Sequence, residues 1–270
     1  MSSSELPLLI QATVSMYLTS ARAATAAIKR NWMIILGSVL AYFLFVLILP
    51  LLAPFGVGGG FLAGLLKIAL LTFYYSWLTA AYRKERLTPA CMREFDLNLF
   101  LTIISVGFVL WIIEELTRPL IYSEQTFALY FCLQLGIFLV LNALPEVVFI
   151  QRSQSIYALR ETASFVVRNW IEWFIPLILL FAPLIATNPH GVLLLFTGAT
   201  MSVGADPLLP PLVLVTYLDG LFSHHFTPGF RFFSSVCAVA VANWFMLFRA
   251  YLFADLQSGS RRSRVYRARQ

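Results

Sequence analysis

WMIILGSVLAYFLFVLILPLLA, residues 32 to 53, carries no charged side chain. At about 1.5 Å of rise per residue such a run covers about 30 Å of hydrocarbon. A helix also satisfies its own backbone there, where no water is available. The run has no charged face to turn toward water, so it is read as a membrane-crossing helix. The rest of the chain has the same character. Of 270 residues 60% are apolar and 12% charged, against about half and about a quarter in an average soluble domain. With a mean hydropathy of +0.81, a water-soluble fold would have to expose Leu and Phe over most of its surface.

Five further runs follow: Phe61 to Ala81 with Lys67 inside it, Leu97 to Ile113, Phe127 to Ile150 with Glu146, Ile171 to Thr187 with Glu172 at its start, and Phe232 to Phe253 with Arg249. The expected fold is an all-α integral membrane protein with six transmembrane helices. Sixteen of the 19 Lys and Arg residues fall on one side if the N-terminus is cytoplasmic. Arg118 and Arg231 fall on the other, and Lys67 lies within a span. The positive-inside rule then sets both termini in the cytoplasm, N-in/C-in. An odd number of spans would send the C-terminal cluster, Arg261, Arg262, Arg264, Arg267 and Arg269, to the wrong side. The net charge of +6 sits at the ends of apolar runs, so anionic lipid headgroups are the expected counter-charge and no nucleic acid is.

Residues 1 to 257 read as one membrane domain and 258 to 270 as a basic cytoplasmic tail. MSSSELPLLIQ at the N-terminus lacks a basic region, apolar core and cleavage site, so no cleavable signal is expected. Cys91, Cys132 and Cys237 have no CxxC spacing and read as packing residues, neither a disulfide framework nor a thiolate site. Residues 188 to 229 are apolar, but their runs, Gly191 to Phe196 and Leu208 to Tyr217, are too short to span. Gly204, Asp206, Pro207, Pro210 and Pro211 interrupt them. The segment reads as an outer-face cap or a shallow re-entrant pair.

Two segments, 6 to 28 and 155 to 168, read as cytoplasmic interfacial amphipathic helices. In the second, Ile156, Leu159, Ala163, Val166 and Val167 share one helical face, and Arg160, Glu161, Ser164 and Arg168 the other. A shift of 138 residues superposes Arg22 on Arg160 and Arg30-Asn31-Trp32 on Arg168-Asn169-Trp170, with Leu18 on Ile156 and Ile28 on Val166. Each copy runs straight into a span from the same side, so a parallel internal repeat is expected.

The stretch NALPEVVFIQRSQSIYALRETASFVVRNWIEWF, Asn142 to Phe174, has a proline near the inner end of a span, a short polar link, an A-L-R core in an amphipathic helix and a basic-aromatic entry to the next span. These are Pro145, Ser155, Ala158-Leu159-Arg160 and Arg168-Asn169-Trp170. In this, and in the exit Arg249-Ala250-Tyr251-Leu252-Phe253-Ala254-Asp255-Leu256, the chain resembles the bacterial membrane domain attached to glycerophosphoryl diester phosphodiesterases and its stand-alone relatives of unknown function. It departs from the pattern at Gln151, where an acidic residue is usual, and has Glu146 directly after Pro145. The resemblance implies a topology in a bacterial cytoplasmic (inner) membrane. It carries no activity across, because the diesterase activity belongs to a separate soluble domain.

No GxxxxGK[ST], HExxH or GxSxG motif is present, so the common phosphate-loop, zinc and hydrolase mechanisms have no support, and neither catalytic residues nor a cofactor are expected. His190, His224, His225, Asp206 and Asp219 fall on the predicted outer side. They are read as interfacial polar residues, with zinc ligation open only if the segment folds back on itself. Lys67 either snorkels or pairs with Glu114 or Glu115 at the end of the third span. An ionised Glu146 costs about 2 to 3 kcal/mol on insertion scales unless it pairs; Arg249 and Arg152 are the expected partners. Gly60 and Gly64 form a GxxxG, and Ser234, Ala238 and Ala242 a small-residue stripe, both read as helix packing within the monomer.

Three functions remain open. One is a non-enzymatic membrane subunit or scaffold that uses Arg22, Arg30, Arg160 and Arg168 to meet lipid, a partner protein or a second copy. Another is a small transporter or permease component with a polar path through Lys67, Glu114, Glu115, Glu146 and Arg249. The third is an outer-face lipid enzyme using the histidines.

Overall fold

The computed structural model describes residues 5–117, 119–120, 124–187, 208 and 228–259. They are mostly helical, with no strand among them. In chain order the helices are α1 (Glu5–Arg30), α2 (Met33–Leu52), α3 (Gly56–Tyr82), α4 (Leu97–Thr117), α5 (Glu124–Val140), a single turn α6 (Leu144–Glu146), α7 (Ser155–Thr187) and α8 (Pro228–Ser258). Four stretches are long and apolar enough to cross a membrane: Met33–Tyr82, Cys91–Thr117, Cys132–Gln151 and Ser235–Ser258. The first has 50 residues, more than twice what one crossing needs. It folds as α2 and α3, separated by a 3-10 turn, Ala53–Phe55, and by Gly56, whose φ of 56° suits a residue without a Cβ.

Alanines recur through α1 and favour the helix. Its buried line, Met16, Ser20, Ala24 and Ala27, steps by three and four residues and packs chiefly along α8. The small side chains let the two backbones come close. Trp244 Nε1 donates to Thr25 Oγ1 at 3.0 Å across this contact. On α8 the expected small stripe does pack, with Ala238 and Ala242 buried. The Gly60 and Gly64 positions do not. A side chain at either would meet nothing within 4 Å, whereas a Cβ at Gly37 would lie 2.7 Å from Met92 and from Trp77. Close glycine contacts between α2 and α3 therefore fall at Gly37 and at Gly59, where a Cβ would lie 1.9 Å from Leu52 O.

α1 ends at Asn31, which is buried in the turn before α2. Its Nδ2 donates to Glu85 O at 3.1 Å and its Oδ1 accepts from Leu87 N at 2.9 Å. The helix break is thus tied to the loop after α3. α7 breaks in the same way at Asn169 (φ −124°, ψ 19°), which splits an amphipathic first half from an apolar second half. Ser20, Ala24, Ala27 and Ile34 are buried, and so are the residues 138 positions later, Ala158, Thr162, Phe165 and Glu172.

The buried face of the first half of α7 differs from the expected one. Ala158, Thr162, Phe165 and Val166 are buried, Leu159 is half-buried, and Ile156 and Val167 are exposed. The helix is turned by its contact with α8, where Phe165 meets Phe253 at a ring distance of 4.4 Å.

The run expected as one span from 127 to 150 is not continuous. α5 stops at Val140, Leu141 to Ala143 form a turn, and after α6 the chain makes a π turn over Val147–Gln151. All nine residues from Leu141 to Phe149 are buried. Irregular backbone at membrane depth is tolerated where protein surrounds it. Here the surroundings are α3, α4, α7 and α8: Thr79 Oγ1 donates to Phe149 O at 3.1 Å, and the Tyr75 and Phe149 rings meet at a tilt with centres 5.4 Å apart. Leu208, within the expected outer segment, is also buried, and its carbonyl accepts from Tyr75 Oη. Tyr75 lies about 10 Å of helical rise from the Tyr82 end of α3 and about 28 Å from the Gly56 end.

Candidate functional site

Two polar features stand out, one closed and one open. The closed one is built on the irregular segment. Asn142 in the turn and Glu146 in α6 lie one helical turn apart and face Arg249 of α8. Arg249 Nε donates to Glu146 Oε1 at 2.7 Å and Nη2 to Oε2 at 2.9 Å, a two-toothed pair. Nη2 also donates to Asn142 O. The guanidinium carbon lies 4.8 Å from the Trp173 ring centre, and Trp173 Nε1 donates to Asn142 Oδ1 at 3.1 Å. Both charged side chains are almost wholly buried, at 3% and 0% exposure. An uncompensated charge there would be costly, so the pair acts as a clamp between α6 and α8. The gap beside it, bounded by Trp173, Pro176, Leu177, Phe245 and Phe248, is too narrow for a water molecule.

Arg152, the other expected partner of Glu146, pairs instead with Asp96 at 2.8 Å. Its φ of 61° after the π turn swings it toward the N-terminus of α4, where Asp96 Oδ1 caps Leu99 N at 2.9 Å. Lys67 is half-buried in α3, Glu114 exposed and Glu115 half-buried in the last turn of α4. None of the three joins the Glu146 pair. Lys67 stands about 10 Å of helical rise from Tyr74, which lies beside that pair.

The open feature is a cleft of about 820 Å³ between the first half of α7 and the end of α8. Tyr157, Arg160, Glu161, Ser164 and Arg168 line one wall, and Leu256, Gln257 and Gly259 the other, with Gln151 at one end. Arg160, Ser164 and Arg168 follow at intervals of four residues and so form one stripe. Among the described residues, neither arginine makes an ion pair. Glu161 accepts a hydrogen bond from Ser153. Arg22 and Arg30, on α1, are exposed and outside this cleft. Arg30 Nη2 donates to Ala81 O at 3.3 Å and covers the end of α3.

No protein-family model, curated protein or solved structure matches the chain. Function has to be read from the two features themselves.

His190, His224, His225, Asp206 and Asp219 lie outside the described residues. Among the described residues no group of three or more His, Cys, Asp or Glu could hold a metal ion. Cys91, Cys132 and Cys237 are free thiols and all exposed, not packed in the core as expected. Sequence reasoning missed Asn142 and Trp173 as parts of the clamp. The available signal was Asn142 itself, a polar residue one turn before Glu146 in an otherwise apolar run. Glu172 is buried at the start of the second half of α7, where its backbone carbonyl accepts from Tyr17 Oη at 2.7 Å.

Proposed function

We propose that the chain is a non-enzymatic integral membrane subunit or scaffold of a bacterial cytoplasmic membrane, which offers the cleft between α7 and α8 to a partner protein or to lipid. The observation that carries this reading is the stripe of Arg160 and Arg168, which make no ion pair among the described residues, in an open cleft beside the locked Glu146 and Arg249 pair. A polar path through Glu146 and Arg249 is the weaker reading, because the clamp leaves no room for water next to it.

Six crossings with both termini inside fit this role. α2 has 20 residues, α3 27 and α4 21, each enough for about 30 Å. α5 with its buried continuation, the second half of α7 and α8 supply the other three. The matched breaks at Asn31 and Asn169, with the matched buried positions around them, support duplication of an amphipathic helix plus span. The likeness to diesterase-attached membrane domains agrees with that topology and adds no activity.

The test is purification of the natural assembly in mild detergent, followed by cross-linking and mass spectrometry. A stable protein partner, or retained lipid, contacting residues 157 to 168 is expected. A solitary monomer with neither would overturn the proposal.

A further inference from the structure

We infer that the cleft between α7 and α8 binds the phosphate headgroup of a single anionic phospholipid, an inference that rests on the cleft being the docking surface. Arg160 and Arg168 stand about 12 Å apart along the helix axis, and Ser164 lies midway. A phosphate at the level of Ser164 is thus about 6 Å of axial rise from the Cα of each arginine, with a hydroxyl donor between them. Arginine suits such an anion because its planar fork can give two parallel N–H bonds to phosphate oxygens. Among the described residues of the lining, Arg160 and Arg168 stand against a single carboxylate, Glu161, which also accepts from Ser153, so the net charge they give the cleft is positive.

The rest of the lining selects an amphiphile over a free ion. Phe165 and Leu256 belong to the cleft wall, and Ile156 and Val167 on the same half-helix, with Trp170 just past the Asn169 break, are exposed. Exposed apolar residues and a tryptophan beside arginines are the pattern of a membrane interface. The cavity, about 820 Å³, has the size of a small-ligand site, enough for a headgroup and its glycerol but not for a folded domain. The chain's own tail is a poor occupant. By sequence it carries Arg261, Arg262 and Arg264 within five residues of Gly259, and like charges would repel it from Arg160 and Arg168.

The experiment uses the full-length protein purified in detergent and measures binding of phosphatidylglycerol, phosphatidylcholine and soluble glycerol phosphate by native mass spectrometry. Phosphatidylglycerol should bind at least about tenfold more tightly than phosphatidylcholine. The double variant Arg160→Gln, Arg168→Gln should weaken it by about thirtyfold, the effect of two headgroup-facing cations. Arg86→Gln, at an exposed arginine of the loop after α3 and outside the cleft, should leave it unchanged. Should the double variant fail to fold, Ser164→Trp fills the cavity with both arginines kept and should also abolish binding.

Equal binding of the two lipids, unaltered binding in the double or the filled variant, or glycerol phosphate binding as well as the lipid would overturn the inference. A protein partner seated on residues 157 to 168 with no lipid preference would overturn it while sustaining the scaffold reading. A partnerless protein that keeps phosphatidylglycerol against phosphatidylcholine would sustain it.

Discussion

Arg249 holds Glu146 through two nitrogens, at 2.7 and 2.9 Å, across 103 residues of sequence. With both side chains buried, removing either partner leaves a lone charge in an apolar interior. Arg249→Met and Glu146→Leu should each cost about 3 to 5 kcal/mol. The double variant, with no charge left to strand, should cost far less than the two together. Unfolding in mixed micelles measures all three, and strict additivity would show that the pair is not a coupled unit.

Asn31 and Asn169 occupy corresponding breaks but different bonding. Asn31 answers two backbone groups of the loop after α3, while Asn169 Nδ2 donates to Phe165 O within its own helix. Asn31→Ala leaves the buried Leu87 amide without its acceptor and should cost about 1 to 3 kcal/mol. Asn169→Ala should cost less than about 1 kcal/mol, since a local bond is lost with no buried group stranded. Thermal unfolding of the two variants in the same detergent compares them directly.

The glycines divide on the same logic of space. Gly37→Val drives a side chain into Trp77 and Met92 and should destabilise by about 1 to 3 kcal/mol. Gly64→Val enters open space and should leave the yield of monodisperse protein unchanged. Equal yields would mean that α2 and α3 do not meet at Gly37.

The three exposed thiols report topology. Cys91 lies in the loop between α3 and α4, whereas Cys132 and Cys237 lie within apolar helices. In inside-out vesicles a membrane-impermeant maleimide should label Cys91 and leave the other two unmodified. In right-side-out vesicles it should label none of them. Labelling of Cys91 from the outside would invert the proposed orientation.

The membrane character was legible in the sequence because an uncharged run such as 32 to 53 admits no other solvent. The Glu146 and Arg249 pairing was legible too, since two opposite charges at like depths have few alternatives. The break at Leu141 to Ala143 was not: Leu, Ala and Leu around Asn142 keep the hydropathy high, and only the neighbours on four helices permit an irregular backbone there. Arg152 was assigned to the wrong acid because its direction depends on a left-handed residue after a π turn, which hydropathy does not record. Gly60 and Gly64 satisfied a motif but face open space, whereas Gly37, in no motif, faces Trp77. For the cleft, the stripe of Arg160, Ser164 and Arg168 could be read along one helix, but the opposing wall at Leu256 to Gly259 is set by how α8 ends.

The buried segment from Leu141 to Phe149 also sets a clock on biogenesis. Ribosomes add about 5 to 20 residues per second, so Arg249 emerges about 5 to 20 seconds after Glu146. Through that interval the nascent chain carries an acid in a stretch too broken to sit in lipid alone, and its partner is not yet made. The insertion machinery must shelter residues 141 to 149 until α8 arrives, and a chain cut short before Arg249 would present to the membrane proteases an orphaned charge that the finished protein never shows.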